Sequence, residues 1–82
     1  MNPRKLLQRA LANPRGLRFA EAIKLAEAFG FQHDRTSGSH HIYKRAGIPE
    51  LINLQNVGGM AKPYQVRQLL KLVEKHNLPL GD

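Results

Sequence analysis

One glycine set between two serines, Ser37-Gly38-Ser39, constrains the fold of this chain more than any other feature. Gly38 can take backbone angles closed to other residues, so Ser-Gly-Ser reads as a tight bend joining two strands. Phe31-Gln32-His33-Asp34-Arg35 is the strand before the bend and His40-His41-Ile42-Tyr43 the strand after it. Side chains alternate along a strand, so His40 and Ile42 share one face while His41 and Tyr43 share the other. Which of these faces is buried is not set by the stretch itself. A third strand is expected over residues 50–55, with Ile52 and Leu54 inward and Asn53 and Gln55 outward; Leu51 breaks the alternation. Pro49, lacking an amide donor, marks a strand start or edge.

Helical spacing flanks this strand region. Phe19, Ala22, Ile23 and Ala26 form one apolar stripe, with Leu25 at its margin. Gly30 comes next as the expected C-terminal cap. The last helix begins after Lys62, with Pro63 in its first position, where a missing donor does no harm. Val66, Leu69, Leu70 and Val73 are its apolar stripe, and Arg67, Lys71 and Lys75 line a solvated face. Asn77 and Pro79 end it. Ahead of all this, Leu7 and Leu11 give a narrow stripe that Asn13-Pro14-Arg15-Gly16 interrupts. Residues 1–15 are therefore expected to add an N-terminal helix, with a basic arm as the alternative. Residues 56–61, which include Gly58-Gly59, read as a flexible loop. They lack the Lys-Ser/Thr pair of a nucleotide-binding loop. The order is helix, helix, three strands, helix. That predicts a two-layer α+β domain spanning 1–82, a three-stranded antiparallel sheet with its helices on one face.

Thirteen Lys and Arg against six Asp and Glu give a formal charge of +7. Such an excess on a domain of 82 residues favours a polyanion, nucleic acid first, with an acidic protein as the alternative. No cysteine is present, so disulfides and thiolate metal sites are excluded. Apolar runs fall far short of the ~20 residues needed to cross a bilayer, and charges begin at Arg4 with no signal-peptide core after it. The expected setting is the cytoplasm, without membrane contact.

The histidines carry the chemistry. His40 and His41 point to opposite faces and chelate a metal poorly together, and no metal or other cofactor is expected. Imidazole suits RNA cleavage: with an unperturbed pKa of ~6.5 it can take a proton from a 2′-hydroxyl or give one to the leaving oxygen. Proton transfer of this kind is worth typically ~10²–10⁴ in rate. Arg35, Lys44 and Lys62 are candidates to stabilise charge on the phosphoryl oxygens. The RNA supplies its own nucleophile. The competing reading is a non-catalytic RNA-binding module that uses Arg67 and Lys71 on phosphates.

Gly38-Ser39-His40-His41-Ile42-Tyr43 lies between a helix ending in Gly30-Phe31 and a Lys-containing loop before a basic helix. Over residues 19–78 this pattern resembles the HicA toxins of bacterial toxin–antitoxin pairs. The resemblance implies a small mRNA-cleaving ribonuclease with a double-stranded-RNA-binding-domain-like fold. It maps the family's catalytic histidine onto His40, or onto His41 as in members whose histidine stands one place later. It implies RNA contacts at Arg35 and Lys62, with Ser39, Lys44, Arg67 and Lys71 beside them, and a HicB-type antitoxin as partner. Two departures stand out. The third strand here lacks the Pro-His found in many members, and the N-terminal helix is additional to the minimal pattern.

Overall fold

The computed structural model describes residues 1–81. Three helices, α1 (Pro3–Ala12), α2 (Phe19–Ala28) and α3 (Pro63–Lys75), accompany four strands, β1 (Gln32–Ser37), β2 (His40–Arg45), β3 (Ile48–Val57) and β4 (Met60–Ala61). The strands form one antiparallel sheet in the order β1-β2-β3-β4. The α+β class and antiparallel sheet are as expected, but the sheet has four strands, not three. The additional strand comes from the stretch read as a flexible loop. Gly58 and Gly59 both take positive φ, at 59° and 86°, and turn the chain tightly enough for Met60 and Ala61 to pair back onto Val57 and Asn56. Asn56 Oδ1 accepts from the Gly59 amide at 2.7 Å and closes the turn. The strands are also longer than expected: β1 continues to Ser37, β2 to Arg45, and β3 takes in Pro49 near its start.

The first segment is a helix rather than an arm. Asn2 caps it by accepting the Lys5 amide at 2.9 Å, and Pro3 occupies its first turn. Its buried positions are Leu6 and Ala10; Leu7 is half-buried and Leu11 is 64% exposed. The stripe is thus rotated by one residue from the expected Leu7–Leu11 line. Arg9 ties α1 to the start of α2, donating to Glu21 Oε2 at 2.7 Å and to the intervening Gly16 carbonyl at 2.9 Å. Glu21 also accepts the Arg18 amide, just before α2, at 3.0 Å. That backbone donor, with Arg9 beside it, holds the Glu21 carboxyl below its usual range.

In α2 the buried residues are Ala22, Leu25 and Ala26, while Phe19 and Ile23 are only half-buried. Leu25 belongs to the core rather than its margin because α2 is covered from two sides, by the sheet and by α1. Phe31, Tyr43, Ile52, Leu54, Val66 and Leu69 complete the core between helices and sheet. Gly30 ends α2 at φ 90°. A Cβ there would stand 2.8 Å from Arg45 Nε, which donates to the Phe29 carbonyl at 2.8 Å. The glycine therefore meets two demands at once, a left-handed backbone and room for the guanidinium. Asn77, at φ 51°, ends α3, and the Leu78 amide reaches back to the Val73 carbonyl. Among the described residues no helix is long and apolar enough to cross a membrane.

Candidate active site

The β1–β2 turn fixes where the histidines go. Gly38, the first of two turn residues, has φ 60°. Two-residue turns with positive φ at this position match the twist of paired strands. They also set the register: Ser37 faces His40, Thr36 faces His41, and Arg35 faces Ile42. On the other side His40 faces Gln55, His41 faces Leu54, and Tyr43 faces Ile52. Tyr43, Ile52 and Leu54 are buried under the helices, so parity places His41 on the helix side and His40 on the open side. His40 is exposed and His41 half-buried.

On the open face, Asn53 Nδ2 lies 2.8 Å from His40 Nδ1, and Gln55 Nε2 lies 3.5 Å from His40 Nε2. Gln55 also donates to Ser39 Oγ at 3.3 Å. From Gln55 the contacts run into α3. The buried Gln65 accepts the Gln55 amide and donates to its side chain, both at 2.8 Å, and donates to Tyr64 Oη at 3.3 Å. Lys62 Nζ stands 5.9 Å from the Tyr64 ring centroid. Asn53 Oδ1 is buried without a hydrogen-bond partner. An amide that spends its NH₂ on a neutral His40 can turn over and offer Oδ1 when Nδ1 takes a proton.

On the helix side, the Phe19 ring at the start of α2 lies 4.9 Å from the His41 ring, tilted by 54°. Thr36 Oγ1 is 3.3 Å from His41 Nδ1 and 2.8 Å from His33 Nε2. His33 faces Tyr43 across the ladder, with ring centroids 5.6 Å apart. Burial raises the Tyr43 phenol above its ordinary value, and the charge of Glu27 adds to the rise.

Both α2 and α3 start at this end of the sheet. The Phe19 amide donates to the Gly59 carbonyl and the Ala61 amide to the Leu17 carbonyl, so β4 ties the beginnings of the two helices together. Helix N-termini carry partial positive charge. Among the described residues no carboxylate hydrogen-bonds to His33, His40 or His41; Glu21, Asp34 and Glu50 are engaged by other cations.

The basic candidates separate. Ser39 reaches His40 through Gln55, while Lys62 lies over the Tyr64 ring, beyond Gln65. Arg35 and Lys44 both pair with Asp34, at 2.6 and 3.2 Å, on the open face around a bulge in β1. Lys44 and then Arg35 hold the Asp34 carboxyl below its usual range. Arg67 and Lys71 line a groove between α1 and α3 with Leu7, Leu11 and Leu70. Sequence reasoning missed His33, Thr36, Asn53 and Gln55 in the contacts of the histidines, and Gln65 as the partner of Gln55. A two-residue turn at Gly38-Ser39 implies the Thr36–His41 pairing. Nothing in the sequence gives the β1 bulge between His33 and Arg35 that brings His33 onto the same face.

The fold and this end of it define a class: a small basic α+β domain, compatible with a double-stranded-RNA-binding-domain-like fold, that presents histidines beside a hairpin turn. The family model for the HicA toxin of bacterial toxin–antitoxin pairs matches residues 19–74, from the first residue of α2 to the last turn of α3. The chain belongs to this family and is the toxin of such a pair, which implies an antitoxin partner. α1 lies outside the matched region. No curated protein and no solved structure gives a significant match to the chain.

Proposed function

We propose that this toxin is a metal-independent endoribonuclease that cleaves mRNA in the cytoplasm by histidine general acid–base catalysis. A HicB-type antitoxin is its proposed partner. The observation that carries the reading is the convergence at one end of the sheet. His40 and His41 reach the surface there, both helix N-termini start there, and no described carboxylate competes for the imidazoles. A polyanion is drawn to that end, and the 2′-hydroxyl it brings is the nucleophile. Ser39 and Lys62 are the proposed RNA contacts at that end. Arg35 and Lys44 extend them along the open face, and Arg67 and Lys71 along α3. Toxin inhibition follows if the antitoxin lays acidic side chains over the same end, displacing phosphates charge for charge.

The test is cleavage of a mixed-sequence RNA by purified protein in excess chelator, repeated with His40→Ala and His41→Ala. The reading predicts cleavage in chelator and loss of about 10²–10⁴ in at least one variant. Full-rate cleavage by both variants would remove the catalytic claim. Salt-sensitive binding without cleavage would leave an RNA-binding module.

A further inference from the structure

RNA cleavage by internal attack needs two proton transfers, one from the 2′-hydroxyl and one to the departing 5′-oxygen. A single imidazole on the open face supplies one carrier. The helix side holds two. His33 and His41 have ring centroids 6.4 Å apart, with the Thr36 hydroxyl between them at 2.8 Å from His33 Nε2 and 3.3 Å from His41 Nδ1. β1 is an edge strand and exposed throughout, so this face is open to a ligand at His33.

We infer that His33, Thr36 and His41 form a hydroxyl-bridged proton relay, and that this pair, rather than His40, works on the RNA phosphodiester. The inference rests on the proposed ribonuclease activity and decides which histidines serve it. A threonine hydroxyl owns one proton, so it donates to one ring and accepts from the other. If His33 Nε2–H donates to Thr36, then Thr36 donates to His41 Nδ1. The free nitrogens are then a bare His33 Nδ1 and a protonated His41 Nε2. Reversing the bridge reverses both. In either arrangement of the neutral pair, one free nitrogen is a base and the other carries a proton.

The reaction then balances. His33 Nδ1 takes the 2′-hydroxyl proton as the 2′-oxygen bonds to phosphorus. His33 Nε2–H passes its proton to Thr36 Oγ1, whose own proton moves to His41 Nδ1. His41 Nε2–H protonates the 5′-oxygen as its bond to phosphorus breaks. The products are a 2′,3′-cyclic phosphate and a 5′-hydroxyl. The bridge is left reversed and is reset by proton exchange with water. Groups facing the pair are Phe19 at the start of α2, with exposed Arg18 before it, and Tyr43 on β2, whose phenol feels Glu27 of α2. None is a carboxylate in contact with either ring. Thr36 acts as a positioning residue; the two histidines are the catalytic ones.

The experiment is the pH–rate profile of RNA cleavage in chelator for the full chain and for His33→Gln, His41→Gln, Thr36→Val and Thr36→Ser. Circular dichroism checks folding, and His76→Gln, at the other end of α3, serves as the unaffected control. We expect the parent rate to rise with pH and then level off with no falling limb, because the working form is the neutral pair. His33→Gln and His41→Gln should each lose about 10²-fold or more. Thr36→Val should lose about tenfold, and Thr36→Ser should restore the rate. If the parent cleaves but His33→Gln retains its rate and profile, the relay is wrong while the ribonuclease activity stands. A parent chain that cleaves no RNA overturns both.

Discussion

The two ends of the sheet are built from the same strands and are opposite in chemistry. At the end holding the β1–β2 turn, α2 and α3 begin, and the polar contacts of the histidines are neutral ones among histidine, threonine, asparagine and glutamine. At the other end α2 and α3 finish, and cations dominate. Arg45 donates to the Phe29 carbonyl at the C-terminus of α2. Lys75 and His76, at the C-terminus of α3, hold Glu50 at 2.6 and 2.9 Å. Helix dipoles favour positive groups at C-termini and leave N-termini for anions. One end is thus closed by its own charges; at the other, Glu21 already caps the start of α2 while no acidic residue stands in the first turn of α3.

The largest expected effect lies in activity at the open end. Replacing its histidines one at a time should lower RNA cleavage by about 10²–10⁴ for the catalytic ones, with melting temperatures held within a few degrees. His76→Gln at the closed end should leave the cleavage rate as it is. Equal losses at both ends would erase the distinction.

Stability should respond the other way round. Gly30→Ala introduces a Cβ 2.8 Å from Arg45 Nε at a φ of 90°. It should cost about 2 kcal/mol, combining left-handed strain with displacement of the guanidinium. For a domain of this size that lowers the melting temperature by roughly 10 °C. Gly38→Ala meets nothing within 4 Å and bears only the strain, about 1 kcal/mol. Thermal melts of the two variants compare the ends directly, and a larger drop at Gly38 would contradict the packing around Gly30.

Acid should loosen the closed end specifically. The Glu50 carboxyl is pulled to about 2, first by Lys75, with His76 adding to it. Its folded value lies below its unfolded one. The contribution to stability is therefore fully present above about 4.5 and disappears as the pH falls toward 2. Melting curves from pH 6 to 2 should show an acid-dependent loss that Glu50→Gln flattens. A parent and variant that run parallel would show that the Lys75–Glu50–His76 contact adds nothing to stability.

The smallest effect concerns free and engaged cations. Lys62→Ala should weaken RNA binding and reduce the dependence of log affinity on log salt by about one unit. Asp34→Asn should strengthen binding slightly by releasing Arg35 and Lys44. Titrations at several salt concentrations distinguish these, and a weakening by Asp34→Asn would show that the pair is needed where it is.

Much of this was legible in local sequence. The bend at Gly38, the cap at Gly30, Pro63 opening α3 and Asn77 closing it all rest on backbone chemistry within a few residues. Parity alone placed His40 and His41 on opposite faces. Other features were not legible. Leu25 is core because α1 and the sheet both reach α2, and Leu6 rather than Leu7 is buried for the same reason. β4 exists because Leu17 and Phe19 offer a second edge to Met60 and Ala61.

The chain by itself determined its second and third helices, the Gly38 bend, its excess of positive charge and the alternation that divides the two adjacent histidines. These depend on dihedral preference and on a period of two, which neighbours along the chain set. The tertiary structure alone decided which histidine faces the helices, that a bulge in β1 carries His33 to within reach of Thr36, and that both helices begin at one end. Those outcomes depend on which strands pair and which faces meet, relations between residues that the linear order does not contain.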